Sequence, residues 1–447
     1  MKKLVASVGL VALGASGLQL ASAQTLGAPD TSKPWSVSAT LRGFYDDNTA
    51  TLNKDVVLPP GEHRSSFGFE VAPAAAFNWA MEQTTINLGV LYSLKYYDNE
   101  PPGSSDHIDQ SFTFSAGLKH NFNERVNASV QDSFVIGQEP DLLRAGNTFS
   151  TFQRVSGDNI RNYGSIGLNA ELTPEFGLGA GYDNAFYDYK ATEIGLVPTI
   201  FGPAIDPSIA GALNRIENRA HLEGLYTLAP ETKVLVGYQF TQVGYTEDQP
   251  ISGFVGAPET LVFSSDRDYR EHTGYVGAEH NFLPNLTGSI RVGASYSDYY
   301  NDPYANAKWT PYVNASLKYS YAPASSVEVG FSYDRNATDV VGLIGNGFGP
   351  ASVTIDAESA VVYAALHHSF TPQLFGNLMG QFQNSTYNGG QYDGTSEQYY
   401  LVGVDLEYRF NQYFSAHAGY NYDRVESDIA FRQFDRNRVY IGVTASY

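Results

Sequence analysis

The nine residues VYIGVTASY, at positions 439–447, are apolar at every second place: Val439, Ile441, Val443, Ala445 and Tyr447, with Tyr440, Gly442, Thr444 and Ser446 between them. A strand turns successive side chains to opposite faces, so this segment has one apolar side and one polar side. About nine such residues are what a tilted strand needs to cross the hydrocarbon layer of a bilayer. The last strand of a soluble sandwich would read the same way, and the rest of the chain decides between the two.

The pattern recurs eight times upstream: VAPAAAF (71–77), AGLKHNF (116–122), IGLNAEL (166–172), LEGLYTL (222–228), VGAEHNF (276–282), ASLKYSY (315–321), AALHHSF (364–370) and VDLEYRF (404–410). Successive copies end 37 to 56 residues apart, too irregular for a propeller or solenoid. Most are followed by a turn-like pair or triplet, such as Thr173-Pro174-Glu175, Ala229-Pro230-Glu231 or Asn411-Gln412, and then by a second alternating run. The segments therefore pair into outgoing and returning strands. Eighteen are expected, at 35–45, 65–77, 84–97, 108–122, 126–137, 161–172, 176–187, 215–228, 233–246, 269–282, 286–299, 308–321, 325–335, 357–370, 374–386, 397–410, 413–424 and 437–447. Sixteen is the alternative count if the glycine-rich hairpin 161–187 is not part of the set.

The connections at the other end are longer, near 46–64, 98–107, 138–160, 188–214, 247–268, 299–307, 336–356, 387–396 and 425–436. Short turns on one side and long loops on the other is the asymmetry of a transmembrane antiparallel up-and-down β-barrel, all-β, with periplasmic turns and extracellular loops. A barrel of about eighteen strands has a lumen too wide to fill with side chains, so the polar face is the lumen and the apolar face meets lipid. Aromatics on the apolar face gather in two belts. Trp35, Phe77, Phe122, Phe282, Tyr321, Phe370, Phe410 and Tyr447 form the girdle at the turn end, and Tyr45, Phe67, Tyr296, Trp309 and Tyr333 are among those at the loop end.

The address agrees. Met1-Lys2-Lys3, an apolar run and Ala21-Ser22-Ala23 read as a secretory signal over residues 1–23, with the barrel over 24–447; interruptions at Gly9, Gly14, Ser16 and Gln19 disfavour a membrane anchor. Removing the two lysines takes the formal charge from −20 to −22, which argues against nucleic acid as a partner. There is no cysteine, so an exported chain must hold itself by packing or by a hydrogen-bond ladder. No apolar run after the signal is long enough for a membrane helix.

Candidate chemistry is sparse. His120, His280 and His368 occupy one place in the repeat where Tyr226, Tyr319 and Tyr408 stand in other copies, so they read as interface residues rather than metal ligands. His367 and Ser369 are the one pair worth weighing for a hydrolase, yet two residues apart on a strand means about 7 Å, beyond nucleophile-to-base hydrogen bonding. Gly345-Asn346-Gly347-Phe348-Gly349 lacks a following helix and reads as a loop tip. The acidic sets Asp46, Asp47, Asp55, Glu62 and Asp266, Asp268, Glu271 lack the spacing of a calcium loop. No catalytic residue, metal or cofactor is expected. What the lumenal face carries is charge: Arg42, Lys95, Lys119, Arg219, Lys233, Arg291, Lys318, Arg409 and Arg438 against Glu70, Asp109, Glu171, Asp183, Glu223, Glu271, Glu279, Asp405 and Glu407 are the expected pore-lining set, with Lys308, Glu217, Glu328, Asp334 and Asp423 on the same face. Two loops are candidates to narrow the pore: 188–214, with Ile194, Leu196, Val197, Ile200, Phe201, Ile205, Ile209 and Leu213, and 138–160, with Arg144, Phe149, Phe152 and Arg154.

The whole pattern, including the closing hairpin YNYDRVESDIAFRQFDRNRVYIGVTASY (420–447), resembles the bacterial outer-membrane family described as putative β-barrel porin 2. That resemblance implies a pore-forming role and carries no functional residue onto this chain. The expected function is a porin of the Gram-negative outer membrane, a water-filled channel for small hydrophilic solutes or ions with a weak preference for cations. The alternatives are a structural or export barrel that binds a partner or conducts a polymer, and an outer-membrane lipid hydrolase. Expected partners are the lipid bilayer, small polar solutes and, through the C-terminal strand, the barrel-assembly machinery. Association into a homo-trimer would use the flat glycine- and alanine-rich strands 161–187.

Overall fold

The computed structural model describes residues 33–102, 106–138, 157–200, 202–302, 307–342 and 353–447. The expected signal, the Gly345–Gly349 tip and Arg144, Phe149, Phe152 and Arg154 lie outside the described residues. In chain order the elements are β1 (Trp35–Asp46), β2 (Ser66–Ala80), β3 (Thr84–Tyr97), β4 (Ile108–Asn121), β5 (Val126–Gly137), β6 (Asn159–Glu171), β7 (Phe176–Tyr189), β8 (Gly195–Thr199), β9 (Gly202–Asp206), the one-turn helix α1 (Ile209–Leu213), β10 (Arg215–Ala229), β11 (Thr232–Tyr245), β12 (Pro250–Phe254), β13 (Ala257–Phe263), β14 (Tyr269–Leu283), β15 (Leu286–Asp298), β16 (Lys308–Ala322), β17 (Ser325–Asn336), β18 (Asp356–Ser369), β19 (Leu374–Asn388), β20 (Ser396–Arg409), β21 (Phe414–Ser427) and β22 (Phe434–Ser446).

Eighteen of these strands form one sheet in which consecutive barrel strands pair antiparallel and β22 returns to pair with β1. The count is eighteen rather than sixteen: β6 and β7 are full members, paired over thirteen positions. Closure leaves no edge strand, which is what a sheet needs where no water can satisfy free backbone groups. At the seam the Val37 amide donates to the Tyr447 carbonyl at 3.0 Å and the Tyr447 amide to the Val37 carbonyl at 2.8 Å. Thr40 and Thr444 share a buried hydroxyl bond of 2.8 Å beside it, and the Lys33 ammonium sits 3.8 Å above the Tyr447 ring.

The two faces divide as the alternation dictates. Leu41, Val71, Leu118, Ile166, Leu222, Val236, Val276, Ile290, Val362, Ile441 and Val443 are exposed on the outside. Arg215, Arg219, Glu223, Glu271, Thr273, Ser295 and Asp423 are buried on the inside. Among the described residues no helix is long and apolar enough to cross a membrane; the crossing is made by strands.

Two of the long connections, one of them the apolar run 188–214, carry strands that the alternation does not predict. The segments joining β7 to β10 and β11 to β14 contribute the hairpins β8–β9 and β12–β13, which meet at Phe254 and Ala204 in a separate four-stranded sheet.

The glycines have a specific use on the inner face. Tyr275 of β14 lies across Gly237 of β11 and reaches Glu223 of β10, its hydroxyl donating at 2.9 Å; the three residues are in register on successive strands. Tyr440 of β22 repeats this across Gly419 of β21 to Asp405 of β20, again at 2.9 Å. A Cβ at either glycine would lie 2.3 Å from the tyrosine ring. Gly237→Ala and Gly419→Ala should therefore expel the ring and lose its hydrogen bond, at a cost of about 1–3 kcal/mol each. The check is the urea midpoint for loss of the compact band on unheated gels. Gly244→Ala, where a Cβ meets nothing within 4 Å, should leave the midpoint unchanged.

Candidate functional site: the inner wall and the loop layer

The inner wall is a mosaic of opposite charges held by the strand register. Arg42 meets Glu70 at 3.2 Å, and Glu70 also accepts from Ser93 at 2.6 Å. Arg291 donates to Glu223 at 2.9 Å and reaches Glu279 at 3.4 Å. Arg409 pairs with Glu407 at 3.0 Å, Arg438 with Asp423 at 3.0 Å, Lys318 with Glu328 at 3.8 Å and Lys95 with Asp109 at 4.0 Å. Arg219 stands opposite Asp183 in register, and Asp183 lies 3.9 Å from His221. Glu271 accepts from Ser297 at 2.9 Å. Several bonds skip one strand or two, as from Arg291 on β15 across β14 and β11 to Glu223 on β10, and such contacts span the concave side of a closed wall.

Lys119, Glu171 and Lys233 share this face but form no ion pair among the described residues; Lys119 and Glu171 are exposed near the turn end. Of the turn-end girdle, Trp35, Phe122, Phe282, Tyr321, Phe370, Phe410 and Tyr447 are exposed, whereas Phe77 is half-buried with Trp79 beside it, ring centroids 6.3 Å apart. Trp79 extends the girdle by one residue that the repeat does not contain.

The histidines of the repeat sit in that girdle. His120 bonds Thr84 at 2.7 Å, His280 bonds Thr232 at 2.8 Å and His368 bonds Tyr321 at 2.7 Å. Each ring stands edge-on to the aromatic two places on, at 4.5 to 4.6 Å. His367 bonds Asn377 at 2.6 Å while the Ser369 hydroxyl donates to the Thr371 carbonyl, so the two do not form a nucleophile and base. Among the described residues no group of three or more metal-ligating side chains is assembled. Members of the acidic sets are each held by a partner of their own: Asp46 pairs with Arg436, Asp47 accepts from Asn437, Asp266 from the Phe263 amide and Asp268 from the Tyr245 amide.

At the loop end the lumen is partly occupied. Inward-facing Tyr189, Val243, Tyr245 and Tyr269 pack against Leu213 of α1, Ile251, Val262, Val341 and Ile355 in one apolar core. The helix is fixed at its start by Ser208, which accepts from the Gly211 amide at 2.8 Å and donates to Gln249 at 2.6 Å. Asn214 closes the other end on the Tyr189 backbone. The apolar run 188–214 therefore divides, for Ile205 and Leu213 are buried in the layer while Leu196 and Ile200 of the β8–β9 hairpin stay exposed. Arg267, fully buried, ties three connections together by donating to the Ala212 and Thr338 carbonyls and stacking on Tyr245 at 4.6 Å. Burial lowers its pKa below the usual arginine value. Arg432 adds a clasp, bonding Asp339 at 3.0 Å and Glu397 at 3.1 Å. Burial opposes its charge, but Asp339, Tyr387 and Glu397 outweigh that and hold it protonated. Burial likewise pushes the Asp266 and Asp268 carboxyls above their ordinary range; Asp248 adds to this at both, and Asp302 at Asp266.

Arg335 escaped sequence reasoning, as Arg267, Arg432 and Asn214 of the loop layer did. Arg335 is at an outward-facing place in the alternation of β17, yet it is buried, bonded to Asp356 at 2.9 Å, Glu358 at 2.7 Å and Thr310 at 3.0 Å. The β16–β17 ladder ends at Val313 and Tyr333, so the two strands part beyond that point and Arg335 fills the gap. An arginine at an apolar-face position near the end of a strand is the signal that could have shown the ladder to β16 opening there.

Residues 226–447 match the family model described as putative beta-barrel porin 2. Comparison with curated proteins finds no match. Among solved structures, the outer membrane protein opdK from Pseudomonas aeruginosa aligns over 92% of this chain and 99% of its own, with 12% identity and a TM-score of 0.40. OccAB4 of Acinetobacter baumannii aligns over 93% and 99%, with 12% identity and a TM-score of 0.41. A BenF-like porin from Pseudomonas fluorescens Pf-5 aligns over 92% and 99%, with 11% identity and a TM-score of 0.43. With its closed eighteen-stranded wall and the match over its C-terminal half, the chain is a β-barrel of the Gram-negative outer membrane that resembles the putative beta-barrel porin 2 family.

Proposed function

We propose that the protein is a porin: a water-filled channel for passive diffusion of small hydrophilic solutes or ions, weakly preferring cations. The supporting observation is the inner wall, where paired but oppositely charged side chains face each other around an interior too wide for them to fill. A wall of this kind solvates polar solutes without binding any one of them strongly. The pore-lining set named from the sequence is the lining of this channel, and the layer held by Arg267 and Arg432 is its constriction. The partners of His367 and Ser369 give a hydrolase no support.

Cation preference follows from the formal charge of −20 and from the carboxylates at the loop end. In a planar bilayer under a salt gradient, the reversal potential should have the sign of cation selectivity; a clear anion preference contradicts the reading.

The raised pKa values of Asp266 and Asp268 fix a pH dependence. These two carboxyls take up protons before ordinary ones as the pH falls, so their negative charge is the first to be lost on acidification. Because the folded state binds those protons more tightly than the unfolded state does, the loop layer gains stability over the same range. Cation selectivity should therefore decline on acidification before the range in which ordinary carboxyls titrate is reached, and less so in Asp266→Asn/Asp268→Asn.

Arg432→Ala leaves Asp339 and Glu397 buried without their partner, a loss of about 3 kcal/mol. Single-channel conductance should rise as the layer loosens, with the wall itself unchanged.

A further inference from the structure

At the loop end of the outer wall lies a hollow of about 490 Å³, lined by Tyr238, His272, Gly274, Ala294, Tyr296 and Trp309. Its floor is the pair Gly274 and Ala294, opposite each other on β14 and β15. Tyr238 and His272 form one wall, and the phenol bonds the imidazole at 2.6 Å, so their polar atoms are turned to each other and ring surface faces the hollow. Tyr296 and Trp309 form the other, with centroids 5.2 Å apart, and Trp309 is 71% exposed. The small floor is what makes the hollow; on either side of it the wall is built of larger side chains.

Two charges stand just above it. Arg270 and Asp298 lie two residues loopward of His272 and Tyr296, about 7 Å along the strands, and are opposite each other in register. They do not pair. The Arg270 guanidinium stacks on the Tyr300 ring at 4.4 Å instead, and Asp298 has no ion pair among the described residues. Beside them are Gln242, which is in register with Arg270, and Asp268. An open cation and an open anion side by side, at head-group height over an apolar hollow, match a ligand bearing both charges over a hydrocarbon chain.

We propose that this hollow binds a lipid whose head group carries a phosphate and an ammonium. One acyl chain lies on Gly274 and Ala294 between the aromatic walls, the phosphate meets Arg270 and the ammonium meets Asp298. The proposal rests on the outer-membrane placement and does not require the channel reading.

The test uses the full chain in vesicles, with Trp35→Phe and Trp79→Phe leaving Trp309 as the one tryptophan of the three. Brominated-acyl phosphatidylethanolamine should half-quench it at an about fivefold lower mole fraction than brominated phosphatidylglycerol. Asp298→Asn, at the residue that meets the ammonium, should remove that difference, whereas Arg270→Ala, which loses the contact to the phosphate that both lipids carry, and Gly274→Leu, which fills the floor, should each reduce quenching by both lipids. Native mass spectrometry of the unsubstituted chain from a mixture of the two lipids gives a second readout, with phosphatidylethanolamine the retained species. Equal quenching by the two lipids, a difference that survives Asp298→Asn, quenching by both lipids left unchanged in Arg270→Ala, or exclusion of both lipids, as a second copy seated on this face would cause, overturns the proposal.

Discussion

A sheet inside a membrane has no water to satisfy its backbone, and the rest of this structure follows from that constraint. Each strand donates and accepts on both sides, and the last requirement is met where β22 pairs with β1. The seam is reinforced at its turn end by reciprocal bonds between Val37 and Tyr447 and by Lys33 over the terminal ring. Closing so many strands sets the diameter, and the diameter sets the problem on the inside.

That problem is a wide, wet interior lined by charge. Part of the solution is local, since Arg42 with Glu70, Arg291 with Glu223 and Arg438 with Asp423 neutralise one another across neighbouring or nearby strands. Tyrosines lying across glycines knit the wall circumferentially, as Tyr275 does over Gly237 and Tyr440 over Gly419. The rest of the solution comes from the loops. The core around Leu213, Tyr245 and Tyr269 narrows the loop end with residues that are strongly apolar although they sit in an otherwise polar lumen.

The wall was legible in the sequence because a period of two, repeated with an aromatic stop, leaves little choice of register. Expected and observed strand limits differ by no more than three residues, the largest differences being at the ends of β2 and β21 and the start of β22. The three histidines of the repeat could be placed at the interface because tyrosine replaces them in other copies. The loop layer was less legible. Its strands β8, β9, β12 and β13 are short, and its anchors are single residues such as Arg267 and Asn214, whose partners lie in connections far apart in the chain. Arg335 was missed for a related reason, because alternation assumes that neighbouring strands stay paired to their ends, whereas β17 parts from β16 beyond Tyr333 while it stays paired with β18.

The central claim is an apolar outside and a hydrated inside, and a chain without cysteine allows a direct test of it. Single cysteines are placed at Ser415 and Asn421 on the inner face and at Ile441 and Val443 on the outer face, and the full chain is labelled in vesicles with a membrane-impermeant maleimide. The account predicts labelling at Ser415→Cys and Asn421→Cys, with Ile441→Cys and Val443→Cys reacting only with a lipid-soluble reagent. The reverse pattern, with the aliphatic face open to water and the polar face closed to it, would contradict it.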